Sequence, residues 1–362
     1  MKFTIYRKYC ESYQRKMVII IKSREKLTIF GVLIGVLLLN PILLNNGNTT
    51  PAGILHKEDN NIFASDTSKK VVTANTILQD IAENVVGEEV DVVVSGAEDP
   101  HSYEPSSSEV EALEEADVIF RLGLEKIEPW WETEWESGAT VIELVDADML
   151  KVDPLLDVEN PHVWMDPHNL INFTRQINST MESEDPENTN TFRSNADNYI
   201  SNLNDLISDI NEARNKIKGT KVIVNHPAFF YLFELLEIDR IAAIEKGEGK
   251  EPSAEDITEI MKQAKEKNAD LVVANPQHQS ENVYEVARES DLKIALLTPL
   301  LNVEVEWDGE TKIIDTYQKM IDYDLWAFQN PSNPPDLLWP IYIVLGLVVA
   351  GIIGVFLYLR RR

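Results

Sequence analysis

Between Asn188 and Lys218 the chain reads NTNTFRSNADNYISNLNDLISDINEARNKIK, with no proline or glycine until Gly219. Phe192, Tyr199, Leu203, Leu206, Ile207, Ile210 and Ile217 recur at intervals that put them on one helical face. At the α-helical rise, about 30 residues span roughly 45 Å. The stretch therefore reads as one long helix that starts near Pro186 and ends at Gly219. On either side the pattern changes to short β-rich runs separated by amphipathic segments. Strands are expected over Lys70–Thr73, Val90–Val94, Asp117–Arg121, Thr140–Glu143, Lys221–Asn225, Ala269–Ala274 and Lys293–Leu297. Helices are expected between them, as at Ile77–Val86, Ser107–Ala116 and Ala254–Lys267. Alternation of this kind builds mainly parallel sheets flanked by helices. The expected fold class is α/β: an N-terminal lobe over 66–187, a rigid linking helix over 188–218 and a C-terminal lobe over 219–328.

Two apolar segments frame this region. Residues 27–44 carry no charge and follow eight Lys/Arg and two acidic residues, so 1–65 reads as a signal peptide or signal anchor with a linker, and Met17 is a second candidate start. Residues 337–359 form an uncharged run that ends in three arginines, after a Pro-rich spacer over 329–336. About 20 apolar residues suffice to cross a bilayer, so a C-terminal transmembrane helix is expected, with the lobes on the extracellular side of the cell membrane. Asn48, Asn172 and Asn178 stand in N-x-S/T sequons.

Charge and cysteine content exclude several classes. With 61 acidic against 33 basic residues, a net charge of −28 gives no basic footprint for nucleic acid. The only cysteine, Cys10, precedes the first apolar segment, so the lobes can hold neither a disulfide nor a thiolate metal site. Of six histidines, His101 lies directly after an expected strand in AEDPHSYEPS, His162 lies in ENPHVWMDPHN, and His226 opens a helix after another strand in VIVNHPAFFYLFELL. Ligands of open α/β folds gather at the carboxyl ends of strands, and three imidazoles leave a tetrahedral zinc one position for oxygen. Separations of 61 and 64 positions match no local metal motif, so a surface or capping role stays open for each histidine alone.

GAEDPHSYEPSSSEVEALEEADVIFRLGLE, NPHVWMDPHN, the long helix, VNHPAFFYLFELL, EPSAEDITEI and VVANPQHQS occur in that order between about Lys70 and Trp307. In these the chain resembles the solute-binding proteins of zinc and manganese ABC importers (cluster A-I). The resemblance implies a membrane-tethered extracellular receptor that takes metal between two lobes and passes it to a permease and its ATPase, both separate chains. It implies His101, His162 and His226 as ligands, with zinc the expected ion because imidazole suits zinc, and Mn2+ the alternative. His168 falls at a variable position. The aspartate usual as fourth ligand is replaced here by Thr298, and the glutamate of a related FAEPQ-like stretch by Asn275. Thr298, His278, Glu98 and Asp99 are the candidates for a fourth ligand or cleft position.

Two other readings compete. A three-histidine site with an open position also suits a zinc-dependent hydrolase or hydratase, but no HExxH motif supplies a base. An adhesin-like surface protein could share the scaffold. No Walker-type phosphate loop is present, so the chain cannot itself drive transport. A non-enzymatic metal receptor is the reading the resemblance favours.

Overall fold

Parallel strand pairing organises both halves of the chain. The structure is a computed structural model that describes residues 69–96, 98–131, 138–246, 252–278, 280–335 and 358–360. The N-terminal sheet contains β1 (Val71–Asn75), β2 (Asp91–Val94), β3 (Val118–Arg121) and β4 (Thr140–Glu143), in the order β2-β1-β3-β4 and parallel throughout. Two helices connect its strands, α1 (Thr76–Val86) and α2 (Ser107–Glu114). A small antiparallel hairpin, β5 (Lys151–Asp153) and β6 (Val158–Asn160), leads into α3 (Pro167–Glu184). The long helix α4 (Thr189–Ile217) then crosses to the second sheet.

That sheet contains β7 (Lys221–Val224), β8 (Asp239–Ala243), β9 (Leu271–Ala274) and β10 (Lys293–Leu296), again all parallel, in the order β10-β9-β7-β8. Its helices are α5 (Phe230–Leu235), α6 (Ala254–Lys267) and α7 (Glu281–Glu289). A second hairpin, β11 (Val303–Trp307) and β12 (Glu310–Ile314), precedes α8 (Tyr317–Gln329). The expected strands agree with the observed ones to within one or two residues. β5, β6, β8, β11 and β12 were not among them. The last pair carried a readable signal: VEVEW and ETKII flank Asp308-Gly309, whose positive φ values of 54° and 78° make the two-residue turn that favours a hairpin.

The two lobes share a core. Strand side chains alternate between faces, and Val222, Val224, Leu271, Val273 and Ala295 join the same apolar cluster as the N-terminal sheet and α4. The opposite face, with Ile223, Val272 and Ile294, packs on α6 and α7 as a separate cluster. Helix α4 buries Phe192, Ala196, Tyr199, Leu203, Leu206 and Ile210 along one stripe, and packs against α1 and α3 as well as α8. Gly219, with φ of 76°, reverses the chain beyond its end and donates to the Glu237 carbonyl at 2.7 Å. Buried Asp80 ties three elements together. Its carboxylate accepts from the Tyr199 hydroxyl (2.7 Å) on α4 and the Tyr317 amide (3.3 Å) at the start of α8.

The apolar segment 27–44 and most of 337–359 lie outside the described residues. Among the described residues no helix is long and apolar enough to cross a membrane.

Candidate metal centre

Three loops at strand ends converge between the sheets. His101 stands in the short helical turn Pro100–Ser102 that follows β2, where the Asp99 carboxylate caps the turn by accepting the His101 amide at 3.0 Å. His162 follows β6 and precedes the turn Val163–Met165. His226 follows β7, and Pro227 begins the turn after it. Ring centroids lie 5.4 Å apart for His101–His162, 5.5 Å for His101–His226 and 5.0 Å for His162–His226. Each histidine offers one ring nitrogen, and these atoms lie within 4.8 Å of one another.

Hydrogen bonding behind the rings determines which nitrogen faces inward. His101 Nδ1 donates to the Lys126 carbonyl (2.6 Å), His162 Nδ1 to Asn160 Oδ1 (2.9 Å) and His226 Nδ1 to Glu245 Oε2 (2.9 Å). All three partners are acceptors, so each neutral imidazole carries its proton on Nδ1 and its lone pair on Nε2. The Nε2 atoms of His162 and His226 face each other at 3.2 Å. Two lone pairs at that distance repel unless a cation lies between them. Ligands about 2.0–2.1 Å from a tetrahedral zinc stand about 3.3 Å apart, close to the observed spacing. His162 is buried, and its desolvation, together with the adjacent His226 and His101 rings and Lys126, holds its protonation well below the usual histidine range. Its lone pair stays available at neutral pH.

The supports come from distant parts of the chain. Lys126 sits in a loop held by buried Glu128, which accepts from Leu122 N (2.7 Å), Gly123 N (3.0 Å) and Arg121 Nε (3.0 Å). Glu245 follows β8 and also accepts from the Asn225 side chain at 3.2 Å. Trp164, two residues past His162, donates its indole N–H to the Pro299 carbonyl (2.8 Å), which stitches the lobes together beside the site. Neither Glu245 nor Lys126 was expected from sequence, since neither lies in a motif with the histidines. Asn160 lay within the recognised NPHVWMDPHN stretch without an assigned role.

The remaining candidates are placed differently. The Thr298 hydroxyl accepts from Gln277 Nε2 (2.9 Å) and Leu300 N (3.2 Å) and donates to Leu300 O (3.0 Å), so it holds its own loop rather than presenting a lone pair to a metal. Asp99 is taken up by the cap and by the Ser102 hydroxyl. Glu98 is exposed and lies over Gly96. The side chain of His278 lies outside the described residues. His168 is exposed and pairs with Asp166 at 2.7 Å. Among the described residues, the three histidines form the one cluster of potential ligands, and it includes no carboxylate.

Two parallel-sheet lobes are thus bridged by a single long helix, and three imidazoles meet between them. The chain belongs to the family described as zinc-uptake complex component A, periplasmic, whose model matches residues 71–330. Its relatives include the manganese-binding lipoprotein MntA of Halalkalibacterium halodurans, 25% identical over 277 residues that cover 73% of this chain and 90% of that protein. The iron-binding protein YfeA of Yersinia pestis is 30% identical over 179 residues, covering 46% and 57% respectively. Among solved structures, that of ZnuA superposes with a TM-score of 0.63 at 23% identity, covering 72% of this chain and 98% of that one. A cadmium-bound periplasmic metal-binding protein from Candidatus Liberibacter asiaticus gives a TM-score of 0.62 at 20% identity, with the same coverage. At such identities the structural likeness speaks to fold.

Proposed function

We propose that this chain captures Zn2+ between its lobes through Nε2 of His101, His162 and His226, and delivers it to an ABC permease powered by a separate ATPase. The observation that carries the reading is the common orientation of the three rings. Each Nδ1 is occupied by an acceptor, and the inward nitrogens of His162 and His226 stand at a zinc-like separation. Zinc is favoured over manganese because a cluster of three imidazoles, with no carboxylate in it among the described residues, suits the softer ion. Among the described candidates none presents a further ligand atom, so a solvent oxygen fills the fourth position of the proposed site.

The shared core and the Asp80 tie to α4 and α8 leave little freedom for hinge motion, which favours capture by a nearly preformed site. The acidic surface raises the local concentration of cations. The apolar run 337–359 with its terminal arginines serves as the anchor that holds the receptor at the outer face of the membrane, close to its permease. Calorimetric titration of the purified full-length chain with Zn2+ and Mn2+ tests both parts. Zn2+ is expected to bind one per chain and more tightly than Mn2+, with loss of binding in His226→Ala. Tighter Mn2+ binding overturns the choice of ion, and no binding of either overturns the site.

A further inference from the structure

We infer that the β5–β6 hairpin is a clasp between the lobes that sets the ligand geometry, with Asn160 as the positioning residue for His162. The inference rests on the three-histidine site proposed above. Asn160 is buried, and its side-chain amide is fully used. Oδ1 accepts from the His162 amide (3.0 Å) and from His162 Nδ1 (2.9 Å). Nδ2 donates to Asp153 Oδ2 (3.2 Å) and to the Pro227 carbonyl (2.9 Å). Pro227 directly follows His226, so one amide plane grips the ring of one ligand and the backbone beside another. A rotated amide would set N–H against N–H on one side and oxygen against oxygen on the other. The orientation of Asn160 is therefore forced, and with it the Nδ1–H tautomer of His162.

The hairpin is fastened from the opposite lobe. Asp153, fully buried, receives both guanidinium nitrogens of Arg240 on β8 at 2.7 and 3.0 Å, and Arg240 lies 4.5 Å above the Phe230 ring. The Tyr231 hydroxyl on α5 donates to the Asn160 carbonyl (2.9 Å) and accepts from Lys151 N (3.1 Å). The chain of contacts runs from Arg240 through Asp153 and Asn160 to His162, and branches at Pro227 toward His226. A buried ion pair contributes little net stability against an apolar replacement, but a bidentate pair of this kind imposes a register. Here the register it imposes is the 3.2 Å approach of the two Nε2 atoms.

The test uses the full-length chain and its Asn160→Ala and Arg240→Lys variants. Zn2+ affinity is read by competition with a chromogenic chelator, and imidazole tautomers by 15N–1H correlation spectra of metal-free protein. Asn160→Ala is expected to lower Zn2+ affinity about 10–100-fold, as outer-layer partners of metal-bound histidine do, and to convert His162 from pure Nδ1–H to a tautomer mixture. Arg240→Lys keeps the charge but loses the fork, and is expected to lower affinity by a smaller factor. A purely structural clasp would shift the melting temperature and leave both readouts unchanged. Affinity within twofold of wild type in both variants, or His162 remaining Nδ1–H without Asn160, overturns the proposal. Should the wild-type chain bind neither Zn2+ nor Mn2+, the site itself fails, and the His162 tautomer still decides the role of Asn160.

Discussion

The two lobes support their imidazoles by different chemistry. The N-terminal lobe holds His101 and His162 with neutral acceptors, a backbone carbonyl and an amide oxygen, whereas His226 in the C-terminal lobe is backed by the carboxylate of Glu245. A carboxylate behind an imidazole raises its basicity and strengthens its bond to a metal. In the proposed site the C-terminal lobe thus supplies one of the three imidazoles, and Glu245 is the carboxylate among the described ring supports. If the proposed site holds, the lobe with fewer imidazoles supplies the more basic one, and a carboxylate behind the ring offsets part of a divalent ion's charge without touching it.

Substitutions in the two lobes should separate these contributions. His226→Ala removes the carboxylate-backed ligand and is expected to cost far more Zn2+ affinity than the roughly 100-fold reach of outer-layer changes, as measured by chelator competition. Glu245→Gln keeps a hydrogen-bond acceptor and removes only the charge. It is expected to weaken Zn2+ binding about 10–100-fold, and an unchanged affinity would show that the carboxylate contributes position alone. Glu128→Gln acts on the N-terminal side, where burial already pushes the Glu128 carboxyl up against the pull of Arg121. Leaving Arg121 without its buried partner is expected to destabilise the chain by about 3 kcal/mol in denaturant titration. Affinity should fall less than tenfold, because the Lys126 carbonyl itself remains.

The smallest effect on metal is expected at Asp80, outside the site. Burial pushes its carboxyl up from 3.8 to about 6, against the opposing hydrogen bonds from Tyr199 and Tyr317. The folded state therefore favours the neutral acid. The stabilisation is complete below about pH 4 and is lost as pH rises through about 6, to a limit of roughly 3 kcal/mol. Relative to Asp80→Asn, the wild-type chain should weaken between pH 4 and 6 in thermal melts, with Zn2+ affinity alike in the two at neutral pH. Equal pH profiles would show that the Asp80 carboxyl titrates alike in the folded and unfolded chain.

Much of the scaffold was legible because its signals are local. Helix α4 was readable from its apolar period and its Pro186 and Gly219 boundaries, and the sheet strands from short β-branched runs. β5 and β6 span three residues each, too few for a period to register, and β8 begins with the charged pair Asp239-Arg240. The hairpin that carries Asn160 was therefore invisible as an element, although Asn160 itself stood in a recognised motif. Thr298 illustrates the opposite case. Its identity was plain in the sequence, but whether its hydroxyl could face a metal depended on Gln277 and Leu300, which only the folded loop brings to it.

By itself the sequence determined an α/β chain with a long connecting helix, histidines just past β2 and β7 and a third in NPHVWMDPHN ahead of a helix, and no thiolate chemistry in the lobes. Periodicity, turn residues and composition act over a few positions, and these features need nothing more. The tertiary structure alone decided that residues 61 and 64 positions apart meet, that all three rings carry their proton on Nδ1, and that Glu245, Asn160 and the Lys126 carbonyl stand behind them. Those outcomes depend on contacts between distant segments, whose relative placement is set by packing the two lobes into one core.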